Sequence, residues 1–251
     1  MEPWSVEWKA QRLEDLYLQW KDCQKCQLCK GRTNVVFGDG HPDADIMLIG
    51  AGPGANEDKN GYPFVGDSGA LLRSMISGVE LKWEDLYVTN VVGCLTPNDR
   101  DPTKEERAAC TPRLHEIIYI VDPLLIIPIG KYTLNALVGG RSWGIESEQG
   151  KLFSSPSPMY RVAGERNGAE IPGRAFPMKG NDKFIRRLEY DVIPIFQPSY
   201  ILKTDSFDTH TQSFAAGGPF FHTMDSLETA VLRVAELKDK RARVARLLER
   251  I

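Results

Sequence analysis

The sequence predicts an α/β fold, a three-layer α/β/α arrangement around a central, mainly parallel, four-stranded sheet. Two observations carry this. Four short apolar runs, at 46–50, 86–92, 124–130 and 192–196, are each followed by a turn and a helical stretch, the pattern of parallel strands covered by helices. The chain has 251 residues, 42% hydrophobic and 26% charged, enough to bury one sizeable core, so residues 1–251 read as a single domain.

Taken in order, Trp4, Trp8, Leu13, Leu16, Tyr17 and Trp20 follow helical spacing and predict an amphipathic helix that leads into a cysteine cluster. The four strand runs come next. Between about 140 and 190 lies a stretch rich in Gly, Pro, Ser and Arg, too long for an ordinary connection; it reads as an insertion with a hairpin of its own. The C-terminus reads as one long helix over about 224–251. There Asp225 and Glu228 form a capping box, and Leu227, Val231, Val234, Leu237, Val244, Leu248 and Ile251 keep the period.

No apolar run approaches the roughly 20 residues that span a bilayer, and the start carries acids and tryptophans where a secretion signal would be basic and then apolar. The expectation is a cytoplasmic protein without membrane contact. A net charge of -3 argues against long-range, non-specific capture of nucleic acid, so any DNA contact must be local.

Five cysteines in a reducing compartment do not suggest a disulfide framework. Cys23 and Cys26 offer two thiolates from one turn, and Cys94 and Cys110 offer two more from far along the chain. Four thiolates hold a tetrahedral zinc or an iron-sulfur cluster, and unrelated buried thiols are the bland alternative. Spacing alone does not choose.

In open α/β sheets ligands bind beyond the carboxyl ends of the strands. Here those ends carry GAGPGANEDKNGYPFVGDSG, TNVVGC and QPSY. Together with CQKCQLCKGRTNVVFGDG, LTPNDRDPTKEERAACTPRL and VDPLLIIPIG, in this order, they resemble the family 4, iron-sulfur type, uracil-DNA glycosylases over about residues 23–202 apart from the insertion. The resemblance implies a 4Fe-4S cluster on Cys23, Cys26, Cys94 and Cys110, with Cys29 spare, and a monomer acting on DNA. It implies hydrolysis of the N-glycosidic bond of an extruded pyrimidine. Gly50, Gly52, Pro53 and Gly54 then let backbone approach the flipped nucleotide, Phe64 offers a stacking face, and Asn90 bonds the base edge.

Two departures stand out against that family. Ala51 occupies the place of its usual acid, and Gln197 the place of its usual His. Ala51 activates no water; Gln197 keeps an N–H to donate to a departing base. Asp67 is the substitute acid, as in the family 5 relatives, with a plain helix N-cap as the competing reading. Glu57 and Asp58, on the same Gly-rich turn, are second-choice acids, with solvated loop charges or cap contacts as the favoured reading. Ser199 and Lys203 follow as DNA-contacting candidates, with Phe220 and Phe221 as an apolar wedge or as packing. Two alternatives accompany this reading: excision of a bulky modified pyrimidine of phage DNA in antiviral defence or phage metabolism, and a silent DNA-binding pseudo-glycosylase.

Overall fold

The computed structural model describes residues 2, 4–138, 144–156, 189–204, 207–208, 213–214 and 216–248. Helix α1 (Val6–Trp20) starts at Ser5, whose hydroxyl accepts from the Trp8 amide, and buries Lys9, Leu13, Leu16 and Trp20. Strands β1 (Asp39–Gly40) and β2 (Ile46–Gly50) follow, then α2 (Ala55–Asn60), α3 (Asp67–Gly78), β3 (Tyr87–Asn90), α4 (Lys104–Val121) and β4 (Leu125–Pro128). The chain continues through α5 (Gly130–Val138), α6 (Ile145–Glu148), β5 (Phe153–Pro156), β6 (Glu189–Val192) and α7 (Pro198–Thr204). It closes with β7 (Phe207–Asp208), β8 (Ser213–Phe214) and α8 (Pro219–Leu248).

The main sheet has six strands in the order β1-β3-β2-β4-β6-β5. Its four central strands are parallel, as expected, and the sheet is wider than the expected four because short antiparallel strands β1 and β5 flank them. Strand β5 falls in the predicted insertion. It extends the main sheet by pairing antiparallel with β6, while residues 157–188, where the predicted hairpin would fall, lie outside the described residues. Pairing beyond β6 continues through the Ile193 amide to Ile126, the Ile195 amide to Pro128 and a bridge between Ile129 and Ile195; Pro194, between the two donors, removes no N–H from this ladder.

Alternation along β2 builds the three layers. Met47 and Ile49 face a core shared with Leu13, Leu16 and Trp20 of α1 and Leu114, Ile117 and Ile118 of α4. Ile46 and Leu48 face the opposite core, filled by Leu72, Met75 and Ile76 of α3 and Leu227, Val234 and Leu237 of α8. Helix α8 begins at Pro219, earlier than predicted, because Gly217 takes a φ of +75° and proline suits the first helical position. Asp225 therefore lies inside the helix, where its carbonyl accepts from the Thr229 hydroxyl, and caps nothing. Ile251 lies outside the described residues.

Candidate active site

The carboxyl ends of the central strands open into one cavity of about 510 Å³. It is lined by the Gly-rich turn after β2 (Ala51, Gly52, Pro53, Gly54), by Phe64 and Asp67, by Asn90 at the end of β3, and by Gln197, Ser199 and Lys203 around the start of α7. Of the predicted base- and DNA-contacting residues, Ala51, Gly52, Pro53, Gly54, Phe64, Ser199 and Lys203 lie on this wall, while Gly50 and the wedge candidates Phe220 and Phe221 do not.

The role of Gly50 is spatial. A Cβ there would stand 2.4 Å from Oδ1 of Asn90 and 2.9 Å from Cζ of Phe64, so the bare glycine lets these two side chains converge. Asn90 is buried at 2% exposure, and its strand is parallel to β2 with Asn90 opposite Gly50. Phe64 has a φ of +53°, which a bulky residue adopts only when its surroundings over-determine it. Two neighbours do so. A Cβ on Gly69 would fall 2.0 Å from the Phe64 carbonyl oxygen, so only glycine permits this crossing. Glu57 accepts from the next two amides, Val65 and Gly66, both at 2.8 Å.

Glu57 also accepts from the Gly54 amide at 3.1 Å, as the third residue of a helix reaching back to its cap. One carboxylate thus straps the Gly-rich turn to the Phe64 turn. Asp58 is no solvated charge: it is 4% exposed and accepts from the backbone amides of Thr33, at 2.8 and 3.0 Å, and Asn34, at 3.3 Å. Both acids are committed to backbone, which removes them as proton-transfer candidates.

Asp67 is exposed to the cavity and is the first residue of α3. The N-cap is Gly66, so the N-cap reading of Asp67 is not borne out. Gln197 is exposed on the opposite side, with its backbone carbonyl accepting from Tyr200 at 2.8 Å and its side chain against Gly130, whose φ of +84° leaves the room. Phe220 stacks on Phe214 at 4.3 Å between centroids, and neither Phe220 nor Phe221 lines the cavity.

A further wall went unread in the sequence. Thr96, Asp99, Arg100, Asp101 and Pro102 close the cavity beyond β3. Arg100 forms a two-pronged bond to Glu106, at 2.7 and 2.8 Å, and this holds the Glu106 carboxyl below its ordinary value. Thr103 and Glu106 make a reciprocal capping box on α4, the signal from which this wall was recoverable.

The cysteines gather away from the cavity, at the core that joins α1 and α4. Cys94 and Cys110 are buried there and Cys23 and Cys26 pack against it. Burial pushes the Cys94 thiol up to about 11, partly opposed by Arg32, whose guanidinium donates to its Sγ at 3.4 Å; negative charge on Cys110 and Cys26 pushes the same way as burial. Burial likewise raises Cys26, with Cys110 and Cys23 adding to it. Cys26 is thus in electrostatic reach of Cys23, Cys94 and Cys110, and Cys29 does not figure among these couplings. Among the described residues no group of three or more His, Cys, Asp or Glu is gathered as for a metal ion.

A sequence profile described as the Uracil DNA glycosylase superfamily matches residues 37–216. The chain belongs to the uracil-DNA glycosylase superfamily. Its similarity extends to the Type-4 uracil-DNA glycosylase of Thermotoga maritima, 36% identical over 186 residues, covering 74% of this chain and 81% of the relative. It extends also to that of Sulfurisphaera tokodaii, 36% identical over 181 residues, covering 72% and 71%. A third relative, the Type-4 uracil-DNA glycosylase of Saccharolobus solfataricus, is 43% identical over 146 residues, covering 57% and 68%. No helix among the described residues is long and apolar enough to cross a membrane.

Proposed function

We propose that this chain, acting as a single-domain monomer, hydrolyses the N-glycosidic bond of a uracil extruded from DNA and leaves an abasic site. One observation carries the reading: the carboxyl ends of β2 and β3 and the turn before α3 bring the Phe64 ring and the buried Asn90 amide together over Gly50 at one cavity. The names of its relatives favour uracil over a bulky modified pyrimidine and over a silent pseudo-glycosylase.

In this reading Phe64 receives the face of the flipped base, and Asn90 reads its edge. Uracil presents an acceptor (O4) beside a donor (N3–H), which an amide matches with one N–H and one carbonyl. Cytosine presents the reverse. As the bond breaks, the sugar becomes cationic and the base departs as an anion. Asp67 stands at the start of α3 on the cavity wall, where it orients water and stabilises the cationic sugar. Gln197 donates an amide N–H to the leaving base. Ser199 and Lys203 contact phosphate at the rim, and Ala51 leaves the first turn without an acid.

The donor set of Cys23, Cys26, Cys94 and Cys110 suits a 4Fe-4S cluster. Cys94 and Cys110 are buried and Cys23 and Cys26 pack against the same core, so sulfur donors from two distant segments lie together, and a 4Fe-4S cluster would take one thiolate on each of its irons. When bound, the cluster supplies a crosslink between the segment after α1 and the 94–110 segment, and no redox step is needed for hydrolysis. The function is tested by single-turnover release of free uracil from a uracil-containing oligonucleotide. Wild type should release it, and Asp67→Asn should be slower by about 10²- to 10⁴-fold. Equal rates for the two proteins count against Asp67, and absence of release in both counts against the enzyme reading.

A further inference from the structure

Arg113 is the largest side chain with no exposed surface, at 0%, and no carboxylate pairs with it among the described residues. Burying an unpaired guanidinium is costly, so its partners must be well placed. They are carbonyl oxygens. Nη1 donates to the Phe37 carbonyl at 2.6 Å, and Nη2 donates to the Asn90 carbonyl at 2.5 Å, with the Val91 carbonyl at 3.5 Å. Nη1 also reaches the Thr89 hydroxyl at 3.4 Å, and that hydroxyl itself donates to Phe37.

The peptide unit held by Nη2 has a second connection. Its N–H, that of Val91, donates to the Gly50 carbonyl at 2.8 Å, and the next amide, Val92, donates to the Ala51 carbonyl at 3.1 Å. A cation on the Asn90 carbonyl polarises this unit and strengthens its N–H as a donor. The chain of bonds runs from Arg113 through the Asn90 peptide to the Gly-rich turn. Arg113 stands one helical turn beyond Cys110 on α4, and Cys94 follows Asn90 by four residues.

We propose that Arg113 is a positioning residue for base recognition: it fixes the backbone of Asn90 against Gly50, so that the amide side chain meets the base edge in one orientation, and it ties that orientation to the cysteine-bearing helix. This rests on the reading of Asn90 as the base-edge residue.

The test compares affinities for oligonucleotides carrying one uncleavable 2′-fluoro nucleotide, either uracil or cytosine. It uses iron-loaded wild type, Arg113→Met, Arg113→Lys and Asn90→Ala, with Tm and iron content measured in parallel. Methionine fills the volume without charge, and lysine restores charge with a single point of donation. The expected result is a fall of about tenfold or more in the uracil-to-cytosine affinity ratio for Arg113→Met, a smaller fall for Arg113→Lys, and unchanged affinity for undamaged DNA. An unchanged ratio in folded, iron-loaded Arg113→Met overturns the proposal, as does failure of both Arg113 variants to fold, which assigns the residue to stability alone. If Asn90→Ala leaves the ratio unchanged, the base-edge reading itself has failed; if only Asn90→Ala lowers it, the inference about Arg113 has failed and that reading stands.

Discussion

Replacing Gly50 with alanine tests the geometry of the cavity without touching a polar group. The added Cβ would stand 2.4 Å from Oδ1 of Asn90 and 2.9 Å from Cζ of Phe64, both inside the closest approach that real side chains make. Neither neighbour yields easily, because Asn90 is buried and bonded through its carbonyl to Arg113, while Phe64 is locked by Gly69 and Glu57. Overpacking of this kind costs about 1–3 kcal/mol. If that strain falls on the base-binding arrangement, affinity for DNA carrying an uncleavable uracil analogue drops roughly 5- to 150-fold. Fluorescence anisotropy measures it, with undamaged DNA as the reference. Gly31→Ala is the control, since a Cβ there meets nothing within 4 Å. Unchanged uracil-DNA affinity and unchanged Tm in Gly50→Ala would refute the claim that Phe64 and Asn90 converge over this glycine.

Asp58→Ala removes the acceptor of the Thr33 and Asn34 amides, and two stranded donors cost about 2–4 kcal/mol. Calorimetry should show Tm lower by roughly 5–15 °C. Iron analysis of purified variants should find the metal lost in Cys26→Ser and retained in Cys29→Ser, because only the former belongs to the mutually coupled set. Burial lowers His115 to about 4. A neutral form favoured by folding contributes stability that is full above the unfolded value of about 6.5 and declines as pH falls from there toward 4. Urea midpoints across that window should decline in wild type, with the slope reduced in His115→Gln.

Strands β2, β3 and β4 were legible as apolar runs between turns, and β2 alternates its contacts strictly between two cores; β6, with the sequence EYDV, meets the predicted run 192–196 only at Val192, and Ile193 and Ile195 carry the pairing on. The edge strands were not legible. Asp39–Gly40 is two polar residues long, and Phe153–Pro156 has no alternating pattern; both become strands by pairing with neighbours that only the tertiary structure supplies. The start of α8 was misplaced because Asp225 and Glu228 mimic a capping box, and the Gly217, Gly218, Pro219 turn carried the stronger signal.

At the site, the rule that ligands sit beyond strand ends pointed to Ala51, Asn90 and Gln197, and all three line the one cavity. Residues 96–102 stayed hidden since their wall depends on left-handed Asn98 and Asp99 and on a side-chain bond between Arg100 and Glu106. Glu57 and Asp58 look like surface acids in the sequence. Their real partners are amides of turns, and no local pattern shows which turns will come near. Arg113 was invisible for the same reason: a cation held by carbonyls from two separate loops has no motif.

The most direct measurement is a crystal structure of the iron-loaded protein with a duplex containing 2′-fluoro-2′-deoxyuridine. The nucleotide should be flipped into the cavity, its base stacked on Phe64 and its O4 and N3–H paired with the amide of Asn90. A uracil still paired within the duplex, or bound elsewhere with that cavity empty, would contradict the account.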